Sequence, residues 1–87
     1  MKKILTLEET AKMMLSEDYK ERFKSEYYQL VNRYEGLKLM LKRWDAGTLD
    51  FKPASSRAIY SIQIDAMERY IVVLELRAST EKIDLSK

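Results

Sequence analysis

Apolar side chains recur along this chain at intervals of three and four residues, and two interruptions divide the recurrence into three segments. The first segment opens with Thr6-Leu7-Glu8-Glu9, a capping-box arrangement in which Thr6 and Glu9 satisfy each other's backbone donors. Leu7, Ala11, Met14 and Leu15 follow at helical spacing, which predicts a short helix over about 6–15. Ser16 then stands as the cap of a second helix, with Glu17 and Asp18 suited to its positive end. That helix is predicted over about 17–45. Its stripe of Phe23, Tyr27, Leu30, Tyr34, Leu37, Leu41 and Trp44 alternates steps of four and three, the spacing of a long helix packed against a neighbour. Gly36 interrupts it at a cost of about 1 kcal/mol relative to alanine.

Asp45-Ala46-Gly47-Thr48 ends the second helix, with Gly47 the natural left-handed terminator. Leu49-Asp50-Phe51-Lys52-Pro53 is loop, and Leu49 and Phe51 are expected to fold back over the end of a hairpin. Ser55 or Ser56 caps a third helix, predicted over about 55–79, and the tail 80–87 is expected to fray from Lys82. The third helix carries two stripes. One is Tyr60, Gln63, Met67, Tyr70, Leu74 and Arg77, bordered by Ile64 and Ile71; the other is Ile59, Ile62, Ala66, Val73 and Leu76. Two apolar stripes imply burial on two sides. The long second helix covers one, and either the short helix or another subunit must cover the other.

An antiparallel hairpin folding about residues 48 and 49 pairs residues whose numbers add to about 97. Leu37 then faces Tyr60, Leu30 faces Met67 and Phe23 faces Leu74. In this register the polar members of the stripes fall level: Arg33 with Gln63 or Ile64, Glu26 with Tyr70, and Tyr19 with Arg77. Half-buried polar pairs of this kind fix register at some cost in stability.

Composition narrows the class. With 87 residues the chain is one domain whose own core is marginal, and it has no cysteine to supply a disulfide. Regular helix packing and self-association are the remaining sources of stability. The 46% of hydrophobic residues is too high for disorder, and two glycines and one proline are too few for an all-β fold. The expected fold class is all-α: an antiparallel two-helix hairpin with a short N-terminal helix, assembled as a homo-oligomer. A net charge of +2 does not by itself call for nucleic acid. No apolar run resembles a signal peptide or a membrane span, so a cytoplasmic location without membrane contact is expected.

One pattern is more specific. Tyr19-x2-Arg22-x3-Glu26-x3-Leu30-x2-Arg33-x3-Leu37 is followed, after a loop containing Phe51, by Gln63-x2-Ala66-Met67-x2-Tyr70-x3-Leu74-x2-Arg77. This resembles a family of small proteins encoded by phages and prophages, named after a product of a crAss-like phage. The resemblance covers about residues 18–78. Gln63-Ile64-Asp65-Ala66-Met67-Glu68-Arg69-Tyr70 is its specific part; the aromatic second helix and the serines at 55 and 56 depart from the usual pattern. It implies a short helical hairpin of phage origin, working in the cytoplasm of a bacterial host, and carries over no catalytic residue.

The residue chemistry argues against an enzyme. Histidine is absent along with cysteine, which removes the commonest general base, the thiolate nucleophile and the commonest metal ligands, and leaves a site to paired carboxylates, a lysine or an unusually activated serine. No carboxylate spacing suits a di-metal site and no glycine-rich phosphate loop is present, so neither a metal nor a cofactor is expected. The candidate binding site is the hairpin tip. Residues 38–57 hold Lys38, Lys42, Arg43, Lys52 and Arg57 against Asp45 and Asp50, a local charge of +3, with Trp44 and Phe51 among them. Cations beside an aromatic face suit a nucleotide or single-stranded nucleic acid, with charge on phosphate and stacking on the base. The plainer alternative is a solvated basic end with Trp44 closing the core. Tyr28, off the main stripe, hints at a second contact surface. Together these point to a non-enzymatic phage accessory protein that acts by binding a protein partner or a sequestered nucleotide signal, in host takeover or evasion of host defence. The alternatives are nucleic-acid binding through the basic tip and service as a phage assembly chaperone.

Overall fold

The computed structural model describes residues 6–86. They form three helices: α1 (Leu7–Met14), α2 (Tyr19–Asp45) and α3 (Arg57–Glu81). The molecule is a rod of 43 × 24 × 24 Å. The all-α hairpin with a short N-terminal helix is as the spacing predicts. Helix α2 packs against both α1 and α3.

Local chemistry sets the helix ends. Thr6 and Glu9 form the full capping box, with Glu9 N donating to Thr6 Oγ1 at 3.1 Å. Asp18, not Ser16, caps α2: its carboxylate accepts from Lys20 N at 3.0 Å. Ser16 acts in the preceding turn, where its hydroxyl accepts from Asp18 N at 3.1 Å and its carbonyl from Arg22 Nη1 at 2.7 Å. Gly47 stops α2 with φ of 75°. Ser56 caps α3, accepting from Ile59 N at 3.3 Å. A Cβ at Gly36 would meet nothing within 4 Å, so this glycine serves no close helix approach.

The core lies at one end of the rod. Phe23, Tyr27, Tyr28, Leu74, Ala78 and Ile83 are buried together, with Met13, Leu30, Val31, Ile71 and Leu85 packed around them. Tyr28, the off-stripe aromatic, is only 2% exposed, and its hydroxyl donates to the carbonyl of Leu85. Its second contact surface is therefore filled from within the chain. The tail does not fray as expected from Lys82. Lys82 takes the left-handed conformation (φ 58°), Ile83 N donates to Ala78 O at 2.8 Å, and Ile83 and Leu85 fold back onto the core. Two apolar residues beyond a helix end are too few to show a period, so no pattern announces them.

The register differs from the expected one by about one helical turn. Bonded partners across the hairpin are Tyr19 with Glu81, Tyr27 with Glu75, and Asp45 with Arg57, whose numbers add to 100 to 102. The fold point is the middle of the whole connecting segment 46–56, at Phe51, and not the glycine that ends α2. Leu49 is half-buried, but Phe51 is 55% exposed and does not cover the hairpin end.

The face that α3 turns to α2 is also rotated from the expected stripe. Tyr60, Ile64, Met67, Ile71, Leu74 and Ala78 are buried or half-buried, whereas Gln63, Tyr70 and Arg77 are exposed. The second stripe stays in water: Ile59, Ile62, Val73 and Leu76 are 50–68% exposed. Neither α1 nor α2 covers it.

Candidate functional site

At the tip, the last two turns of α2, the connecting segment 46–56 and the first turn of α3 hold the basic residues. Arg57, at the start of α3, is committed to Asp45 at the end of α2. Nε and Nη2 each donate to one carboxylate oxygen at 3.0 Å, and Nη1 donates to Ser61 Oγ at 2.7 Å. This fork holds the Asp45 carboxyl below its ordinary range and raises the guanidinium further. Arg57 thus acts first as a clasp between the helices. Lys42, Arg43 and Lys52 are exposed. Trp44 is half-buried and meets Tyr60 edge to face, with centroids 5.9 Å apart and planes at 74°.

Two clefts flank this end. The first, of about 550 Å³, has Leu39, Leu41 and Ile64 as its apolar floor and Lys38, Lys42, Glu35 and the Asp45–Arg57 clasp at its edge. Lys38 lies over the Tyr34 ring at 4.9 Å. The second, of about 570 Å³, lies between Trp44, Leu49, Phe51 and Pro53, with Lys52 and the hydroxyls of Ser55 and Ser56 alongside. The five residues singled out at the tip therefore divide. Lys42 and Arg57 line the first cleft, Trp44 and Lys52 line the second, and Arg43 lines neither. The sequence groups Leu39 with Tyr28 and Val31 on a second contact surface; the structure puts it in the floor of this first cleft instead. Its spacing of three from Lys42 is the signal that places both on one side of α2.

The inferred polar pairs separate as well. Tyr19 and Arg77 converge on a third residue, Glu81, which sequence reasoning did not name. Tyr19 Oη donates to it at 3.4 Å, and Arg77 Nε and Nη2 donate to it at 2.8 and 3.2 Å. The Arg77 guanidinium also lies over the Phe23 ring at 4.8 Å. Arg77, and to a lesser degree Tyr19, holds the Glu81 carboxyl below its ordinary range. Glu26 shares a shallow cleft of about 270 Å³ with Tyr19, Arg22 and Arg77. Tyr70 is 44% exposed on α3, and no hydrogen bond among the described residues joins it to Glu26. Arg33 and Gln63 are both exposed and share none either. The polar link nearest the core is instead Tyr27 Oη donating to Glu75 at 2.7 Å. A one-turn register shift moves every such pairing, which is why these partners escape a residue-number argument.

Among the described residues no helix is long and apolar enough to cross a membrane. No curated protein and no solved structure matches the chain. The Sequestin family model does match, over residues 17–80, which takes in α2, the tip and all of α3 but its last residue. That is about three quarters of the sequence, and the chain belongs to the Sequestin family.

Proposed function

We propose that this protein works by holding another molecule out of circulation, without transforming it, and that the molecule is a phosphate-bearing nucleotide signal. The family name supports sequestration as the mode of action. The observation that carries the nucleotide reading is the tip: two clefts of about 550 and 570 Å³, each with an apolar or aromatic wall and a lysine at its edge. A base needs a flat apolar wall, and a phosphate needs unspent cations near it. Lys42 and Lys52 meet the second need, because neither is tied to an acid in the way Arg57 is tied to Asp45. Tightening around the ligand needs no proton transfer or bond breaking, in keeping with a chain without histidine or cysteine.

The resemblance to phage-encoded hairpins sets the context: a phage accessory protein in the host cytoplasm that lowers the free concentration of a defence signal. A second reading, a protein partner, draws on the exposed apolar side of α3. Native mass spectrometry of the chain purified from bacterial cytosol separates the two. The expected result is a small adduct of nucleotide mass that is lost on Lys42→Glu together with Lys52→Glu. A retained protein bound away from residues 38–57, with no small adduct, overturns the nucleotide reading.

A further inference from the structure

The second stripe of α3 remains without a cover inside the chain. Ile59 is 55% exposed, Ile62 68%, Val73 50% and Leu76 64%, with Val72 and Tyr70 close beside them. Together these side chains leave on the order of 500–600 Å² of apolar surface in water, the upper end of what a monomer tolerates in one patch. Doubled across a twofold axis, the patch reaches about the lower bound of a stable interface, some 1,200 Å². The stripe runs about 26 Å along the helix at 1.5 Å per residue.

We infer that α3 docks through this face onto α3 of a second copy, antiparallel, about a twofold axis level with the midpoint between Ala66 and Arg69. The spacing carries the argument. Ile59, Ile62, Ala66, Arg69, Val73 and Leu76 follow one another by three, four, three, four and three, a series that reads the same in both directions. Only a surface that reads alike both ways can pair with itself antiparallel in an isologous contact. Ile59 then meets Leu76 of the second copy, Ile62 meets Val73, and Ala66 meets Arg69.

Charge selects the direction. Arg69 is the one ionic residue within the stripe, and among the described residues it makes no ion pair. It shares an open groove with Asp65, Glu68, Val72 and Val73. A parallel pairing in register sets Arg69 against Arg69 and Asp65 against Asp65, which repels. The antiparallel pairing sets Arg69 opposite the small Ala66 and next to Asp65 of the second copy, twice over. On the other rim it brings Tyr70 near Gln63, two exposed polar side chains that find no partner across the hairpin. The two tips then point to opposite ends of the dimer, each with its own clefts.

The chain has no native cysteine, so disulfide trapping in the full-length protein reads the geometry directly. Ile62→Cys chains mixed with Val73→Cys chains are expected to form the heterodisulfide, because those positions face each other. Each variant alone is expected not to cross-link, since its two copies lie about 16 Å apart along the axis and a disulfide needs Cα atoms within about 7 Å. Homodisulfides of Ile62→Cys alone overturn the antiparallel arrangement. Sedimentation equilibrium tests the affinity: Arg69→Asp is expected to weaken the dimer at least about tenfold, and adding Asp65→Arg to restore it. Val73→Glu is expected to give a folded monomer by circular dichroism, with ligand retention at the tip unchanged. A wild-type chain that stays at the 10.3 kDa of one copy up to about 1 mM, or whose α3 face is occupied by a different protein when purified, overturns the proposal.

Discussion

The two ends of the rod are built on different principles. At the base, α1, the start of α2, the end of α3 and the tail close around Phe23, Tyr27, Tyr28, Leu74 and Ala78, and every layer has another behind it. At the tip only α2 and α3 remain. Leu41 is buried there, but Trp44 and Tyr60 are half-buried, and clefts open on both sides. Two helices cannot enclose a core by themselves, because each has only one neighbour to bury against. The base therefore holds the fold, and the tip leaves side chains and clefts open to solvent.

Substitutions at the two ends test this division. The largest effect is expected from Leu74→Ala, where the side chain is 1% exposed and a cavity at the base should cost about 2–5 kcal/mol in urea denaturation. Tyr28→Phe should cost about 1 kcal/mol, by leaving the Leu85 carbonyl without its donor and loosening the tail. The same residue predicts an alkaline limit. Burial, with Tyr27 and Asp84 nearby, raises the Tyr28 hydroxyl above its ordinary value, so the neutral form is favoured in the fold. Its stabilising contribution is complete below the unfolded-state value and is lost as pH rises through the folded one. Tyr28→Phe should flatten that alkaline loss in a pH-dependent thermal melt.

Toward the tip the effects shrink and change sign. Gly36→Ala should stabilise by about 0.5–1 kcal/mol, since a Cβ there meets nothing and helix propensity improves. Asp45→Asn should leave the midpoint at neutral pH nearly unchanged, because the clasp with Arg57 is open to solvent. It should, however, remove part of the acid sensitivity. The depressed Asp45 and Glu81 carboxyls contribute above their unfolded-state values, and that contribution is lost as pH falls through the folded ones. An Asp45→Asn effect as large as that of Leu74→Ala would erase the distinction between the two ends.

Much of the architecture is legible in the residues because it rests on local rules. The capping box at Thr6, the stop at Gly47, the cap at Ser56 and the heptad-like stripe of α2 each follow from neighbours within one or two turns. The double stripe of α3 is legible too, and with it the surplus apolar face. The site is less so. Lys42, Trp44, Lys52 and Arg57 stand out by charge and aromaticity, but the bond that ties Arg57 to Asp45 depends on how two helices meet, twelve residues apart in sequence.

The sequence by itself determined that this chain forms three helices, that α3 is apolar on two sides, and that it contains neither histidine nor cysteine. Only the tertiary structure decided the register, with the turn centred on Phe51 rather than Gly47, the docking of Ile83 and Leu85 under Tyr28, and the convergence of Tyr19 and Arg77 on Glu81. The physical reason is range. Periodicity and caps are set by residues one to four positions apart, whereas register is set by the sum of packing along the whole length of α2 and α3, where a shift of one turn keeps every stripe apolar and changes every partner.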